Sequence, residues 1–98
     1  MSMPSLTPAG FSLTITDVYD VRGRGRLAWG IILDGRIAFG EVVDVTSCDG
    51  KVTRSIVRGI ESFRRLRPTG VGDKIGLILD ASGQAVVEVG GRIATPVL

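Results

Sequence analysis

The chain has no histidine, one cysteine, few aromatic residues and no long apolar run. Without histidine it lacks the commonest general base, metal ligand and physiological pH switch. With Cys48 as the only cysteine there is no intrachain disulfide, which fits a reducing compartment. No apolar stretch approaches the roughly 18–20 residues that a membrane-spanning helix needs. The first ten residues lack the basic start and apolar stretch of a signal peptide. A cytoplasmic location is therefore expected. No Gly-x-x-x-x-Gly-Lys-Ser/Thr segment is present, so nothing in the sequence is built to cradle nucleotide phosphates. No nucleophile, base and orienting group stand together as a catalytic set, so no enzyme, cofactor or metal site is expected.

What is present points to strands and turns. The 98 residues suffice for one domain with one modest core. The apolar residues are mostly Val, Ile and Leu, and fourteen glycines supply tight turns. Residues 1–10 carry two prolines, two serines and no charge, and read as a loose tail. Phe11, Leu13 and Ile15 alternate with Ser12, Thr14 and Thr16 as a half-buried strand. Val18, Tyr19 and Val21 continue it after a shift of phase, which suits a bulge. Leu27 to Leu33 is the next strand. Asp34-Gly35 predicts a hairpin to a strand at Arg36-Ile37-Ala38-Phe39. Val42, Val43 and Val45 mark another strand, and Asp49-Gly50 turns it into a strand from Lys51 to Ile60.

Residues 53–66 are ambiguous. Ile56, Val57, Ile60, Phe63 and Leu66 fall at helical spacing. Gly59 and the β-branched Val52, Thr53, Ile56, Val57 and Ile60 favour a strand. Lys74 to Leu79, Ala85 to Val89 and Arg92 to Thr95 complete the series, the last two parted by Gly90-Gly91. Evenly spaced strands with turn signals between them predict an all-β fold, a small barrel or sandwich; closure as a barrel leaves no unpaired edge.

Three motifs carry a family resemblance. Asp17-Val18-Tyr19, Gly23-Arg24-Gly25 and Gly30 look like the Asp-Val-Phe, Gly-Arg-Gly and following glycine of domain 2 of the translational GTPases, above all elongation factor Tu. Gly35 with Gly40-Glu41 is similar to that family's Arg-Gly…Val-Gly-Glu hairpin. Gly59-Ile60-Glu61-Ser62-Phe63-Arg64-Arg65-Leu66 resembles Gly-Val-Glu-Met-Phe-Arg-Lys-Leu. Gly76 and the stretch Gly90-Gly91-Arg92-Ile93-Ala94-Thr95-Pro96 continue the match, which covers residues 11–96. The resemblance implies a closed antiparallel β-barrel of about six strands, standing alone without the GTPase domain.

It also implies a function. Domain 2 of this family leans on ribosomal RNA, and in elongation factor Tu it helps hold the aminoacyl-adenosine end of tRNA. By position Glu61 corresponds to the glutamate beside the terminal adenosine. Leu27 and Ile78 correspond to the apolar lining, Arg64 follows the glutamate, and Gly23 marks the nearby bend. Trp29 stands where the family has a small hydroxylated residue, and Asp80 where it often has arginine. The expected partner is RNA, either the tRNA acceptor end or ribosomal RNA.

The residues themselves leave alternatives. Ten of the twelve basic residues are arginine, whose planar fork suits phosphate, but solvated strand faces also collect arginine. Arg24 is a phosphate donor in an RNA-facing loop, or part of a barrel corner whose glycines supply backbone angles. Glu61 is an acceptor for a ribose hydroxyl, or a surface carboxylate paired with Arg58 or Arg64. Trp29 is a stacking platform or protein anchor, or the largest residue of the core. Asp73 and Lys74 read as a surface pair and Cys48 as an inert turn residue. A second class of function, protein interaction or oligomerisation with a GTPase or other partner, stands beside RNA binding.

Overall fold

The structure is a computed structural model and describes residues 10–23, 25–62, 70–80 and 86–96. Six strands form it: β1 (Ser12–Val21), β2 (Gly25–Asp34), β3 (Val42–Thr46), β4 (Val52–Ser62), β5 (Lys74–Leu79) and β6 (Arg92–Ala94). They close into an antiparallel barrel in the order β1-β2-β5-β4-β3-β6. No helix among the described residues is long and apolar enough to cross a membrane.

The barrel follows from the alternation in the strands. Leu13 and Ile15 of β1, Ala28 and Ile32 of β2, Val43 and Val45 of β3, Val57 of β4, Ile75, Leu77 and Leu79 of β5 and Ile93 of β6 meet in one core. Each such side chain contributes about 1.5–3 kcal/mol by leaving water. Gly30 is the interior position of β2 that admits no side chain. A Cβ there would lie 2.1 Å from the Thr14 carbonyl oxygen, so the backbones of β1 and β2 come together at this point. Immediately beyond, the β1–β2 register shifts between Ile15 and Asp17. This is the expected bulge, and it moves the inward phase from odd to even, so that Val18 packs on the core and Asp17 and Tyr19 face out.

A second shift, between Val57 and Gly59, does the same in β4. After it Ile60 packs on the core while Gly59 pairs with Ile78 and Glu61 with Gly76. Residues 52–62 are thus strand, in keeping with their β-branched content; the rest of the ambiguous segment lies outside the described residues.

Two strand expectations are corrected. Asp34-Gly35 does not make a hairpin: residues 36–38 form no strand, and β2 already has β1 and β5 on its two edges. A type I′ turn needs positive φ at both central residues, yet only Gly35 has it, at 69°. The chain instead bends across Gly10 and reaches β4 at Gly40-Glu41, where Gly40 N–H donates to the Val57 carbonyl and Val57 N–H to that of Glu41. Residues 86–88 of the segment expected at 85–89 form no strand either, and Ala85 lies outside the described residues. Backbone groups there bond elsewhere: the Val87 carbonyl takes the Arg26 guanidinium at 3.1 Å, and the Glu88 carbonyl closes a turn with Gly91. Asp49-Gly50 does connect β3 to β4. Gly50 N–H donates to Ser47, Ser47 N–H to Lys51, and Gly50 takes φ 91°, a turn followed by a left-handed residue.

Candidate ligand face on the outside of the barrel

The two bulges set one outer face. Cross-strand register places Asp17, Trp29, Gly76 and Glu61 in one row over β1, β2, β5 and β4. The next row is Tyr19, Leu27, Ile78 and Gly59. Four residues expected to share a site, Leu27, Trp29, Glu61 and Ile78, are therefore neighbours, although 51 positions (78 − 27) separate the first from the last.

Gly76 organises the centre of this face. A Cβ on it would meet Leu27 Cδ1 at 2.9 Å and the Trp29 indole at 3.0 and 3.1 Å. The indole thus lies against bare backbone, half-buried and outside the core cluster. Ile78 is 3% exposed, lies outside the core cluster and is the cross-strand partner of Leu27 in the outer row. Glu61 is half-buried and has no ion-pair partner among the described residues. Of its two expected partners, Arg58 turns to Asp80, 3.9 Å away, and Arg64 lies outside the described residues.

Beside the indole is a shallow cleft of about 180 Å³ lined by Asp17, Tyr19, Trp29 and Lys74. Tyr19 is 57% exposed. Lys74 Nζ donates to Asp17 Oδ2 at 2.9 Å. The Thr16 hydroxyl, on the bulge, shares its proton between Asp17 Oδ2 at 3.0 Å and the Trp29 carbonyl at 3.3 Å. The Lys74 hydrogen bond, then that of Thr16, holds the Asp17 carboxyl below the usual carboxylate range. Lys74 thus reaches Asp17, and the neighbouring Asp73 accepts from Gly70 N–H at 2.9 Å. Asp17 and Tyr19 share the outward phase of Trp29 and Leu27, a signal legible in the alternation. Nothing local in the sequence announces Lys74, 57 residues from its partner.

The β1–β2 turn lies at the Tyr19–Leu27 end of the face. Gly23 has φ 77° with open space around its Cβ position, so its role there is the backbone angle. Arg22 is exposed, while Arg26 is tied to Asp20 at 3.1 Å and to the Val87 carbonyl. Arg24 lies outside the described residues.

The same end of the barrel holds Cys48, exposed in the β3–β4 turn, because β1 and β3 run in the same direction on either side of β6. Its backbone N–H donates to Glu88 Oε2 at 2.6 Å and its thiol lies 3.2 Å from the Val89 carbonyl. Hydrogen bonding with Glu88, burial and the nearby carboxylates push the thiol above its ordinary value, which lowers its thiolate fraction. Among the described residues, no three histidine, cysteine or carboxylate side chains converge as a metal site.

Fold and face together define a small closed antiparallel β-barrel that carries an outward aromatic and carboxylate cluster. No family model matches the chain.

Proposed function

We propose that this barrel is a non-catalytic RNA-binding module, similar to domain 2 of the translational GTPases, that docks the unpaired end of a tRNA or a segment of ribosomal RNA. The observation that supports the reading is the register that sets Leu27, Trp29, Gly76, Ile78 and Glu61 side by side on the outer face. A base laid on the Trp29 indole gains about 1–3 kcal/mol from stacking. The half-buried Glu61 carboxylate is an acceptor for a ribose 2′-hydroxyl, the group that separates RNA from DNA. Exposed Arg22, at the β1–β2 turn, is a phosphate donor beside this face, and the resemblance adds Arg24 and Arg64 to the proposed contacts.

The experiment is amide chemical-shift mapping with a short RNA ending in CCA, and with its DNA counterpart, at two salt concentrations. Saturable shifts clustered at Leu27–Trp29, Glu61 and Ile78, stronger for RNA, are expected. A salt-sensitive response spread evenly over the arginines, with no preference for RNA over DNA, would remove Glu61 and Trp29 from the proposal.

A second reading, a protein-interaction module, draws on a separate observation. Phe39, 66% exposed in the β2–β3 connection, and nearby Val42 present apolar surface to solvent. Phe39→Ser that abolishes a partner complex while leaving RNA binding intact would favour that reading.

A further inference from the structure

The cleft beside Trp29 has a polarity of its own. Its carboxylate and ammonium present acceptor Oδ1, acceptor Oδ2 and donor Nζ in that order, with Nζ 2.9 Å from Oδ2. Both donors to Asp17 among the described residues, Lys74 and Thr16, sit on Oδ2. Oδ1 is left able to accept. Tyr19 and Trp29 supply aromatic walls, and about 180 Å³ holds a single planar heterocycle.

We propose that this cleft takes one unpaired guanine base of the bound RNA, stacked on the aromatic walls, with its N2–H and N1–H donated to the Asp17 carboxylate and its O6 accepting from Lys74 Nζ. The inference deepens the RNA-binding reading and rests on it. Guanine alone among the four bases presents two adjacent donors followed by an acceptor on its Watson–Crick edge. Adenine offers one donor beside an acceptor, cytosine one donor and two acceptors, and uracil an acceptor on each side of its donor. Each of these turns a lone pair toward the carboxylate. The local charge points the same way. Asp17 and Lys74 cancel, so the cleft does not draw a phosphate, and Lys74 repels a partner's guanidinium from the carboxylate it already occupies.

The test uses the full chain and its single tryptophan, Trp29, as the fluorescent reporter. Five pentanucleotides are titrated at low salt: a uridine pentamer and four variants whose central base is guanine, adenine, cytosine or hypoxanthine. The guanine oligomer should bind at least about fivefold more tightly than the adenine, cytosine and uracil ones. Hypoxanthine lacks the 2-amino group and should lose most of that advantage, because the carboxylate then faces a missing donor. Asp17→Asn should erase the preference, so that the guanine oligomer binds the variant no more tightly than the uridine pentamer does.

Equal affinities for all five would overturn the guanine site and leave the RNA reading standing. No binding by any of them would remove both. A guanine preference that persists in a folded Asp17→Asn variant would also overturn the proposal. Should that variant not fold, the hypoxanthine comparison on the unaltered protein decides: equality with guanine refutes the site.

Discussion

Replacing Gly76 by alanine sets two opposing effects against each other on the outer face. Alanine in place of glycine restricts the unfolded chain, which stabilises a compatible strand position by about 0.4–1 kcal/mol. Against this, the new methyl would stand 2.9 Å from Leu27 Cδ1 and 3.0 Å from Trp29 Cε2. Ordinary contact begins near 3.5 Å, so both side chains must retreat by roughly half an ångström or more. Each can do so by turning away from its preferred rotamer, at about 0.5–1.5 kcal/mol apiece. The strain of two displaced side chains outweighs the entropic gain, and Gly76→Ala should lose about 0.5–2 kcal/mol. Urea unfolding followed by the emission of the single tryptophan measures both parts: a lower midpoint and a red-shifted native spectrum as the indole rises into water. A variant with unchanged emission and a raised midpoint would refute the reasoning, because the indole would then not rest on Gly76. On the proposed function, the same substitution should also weaken RNA binding, since the platform is tilted while Glu61 keeps its chemistry.

Three further outcomes follow from the barrel. Gly30→Ala places a methyl 2.1 Å from the Thr14 carbonyl and beside Leu13, a clash with backbone that no rotamer relieves; a loss of about 3 kcal/mol or failure to fold is expected by thermal circular dichroism. Ser55 faces inward on β4 with its hydroxyl buried and, among the described residues, without a hydrogen-bond partner, so Ser55→Ala should be neutral or stabilising by about 1 kcal/mol, measured as a urea midpoint; a clear loss would reveal a partner for that hydroxyl. The Asp17 carboxyl is depressed in the folded state, so its interaction favours folding above the ordinary carboxylate pKa of about 3.9 and fades as the pH falls through the lower folded value. The stability difference between the unaltered protein and Asp17→Asn should accordingly be present at pH 6 and shrink below about pH 4.

Much of the barrel was legible in the sequence because its devices are local. The phase change at Thr16 shows directly in Leu13, Ile15 and Val18, and the strand Lys74–Leu79 stands between two glycine-bearing loops. Asp34-Gly35 misled because a dipeptide reports a bend, not the partner that the chain meets afterwards; both edges of β2 were already taken. The expected strand at 85–89 failed where a side chain, Arg26, satisfies the Val87 carbonyl in place of a ladder. At the candidate face, Leu27, Trp29, Glu61 and Ile78 were foreseeable as a set, and Asp17 and Tyr19 share their outward phase. Lys74 was not foreseeable, because its neighbourhood with Asp17 exists only once β1, β2 and β5 lie side by side.

Barrel closure also orders events in time. β1 must wait for β6, and the two are fastened where Phe11 N–H meets the Thr95 hydroxyl and Thr95 N–H meets the Phe11 carbonyl, 84 residues apart. Contacts of such separation form late and slowly, because the loop entropy is spent before the contact rewards it. During synthesis the first strand leaves the ribosome long before its last partner. Until residue 95 is available, β1 and β3 each keep an edge that β6 will later cover. β6 is only three residues long, so a brief stretch of Arg92, Ile93 and Ala94 converts two sticky edges into none. Substitutions at Ile93 should therefore register in aggregation during folding sooner than in the equilibrium stability of the finished barrel.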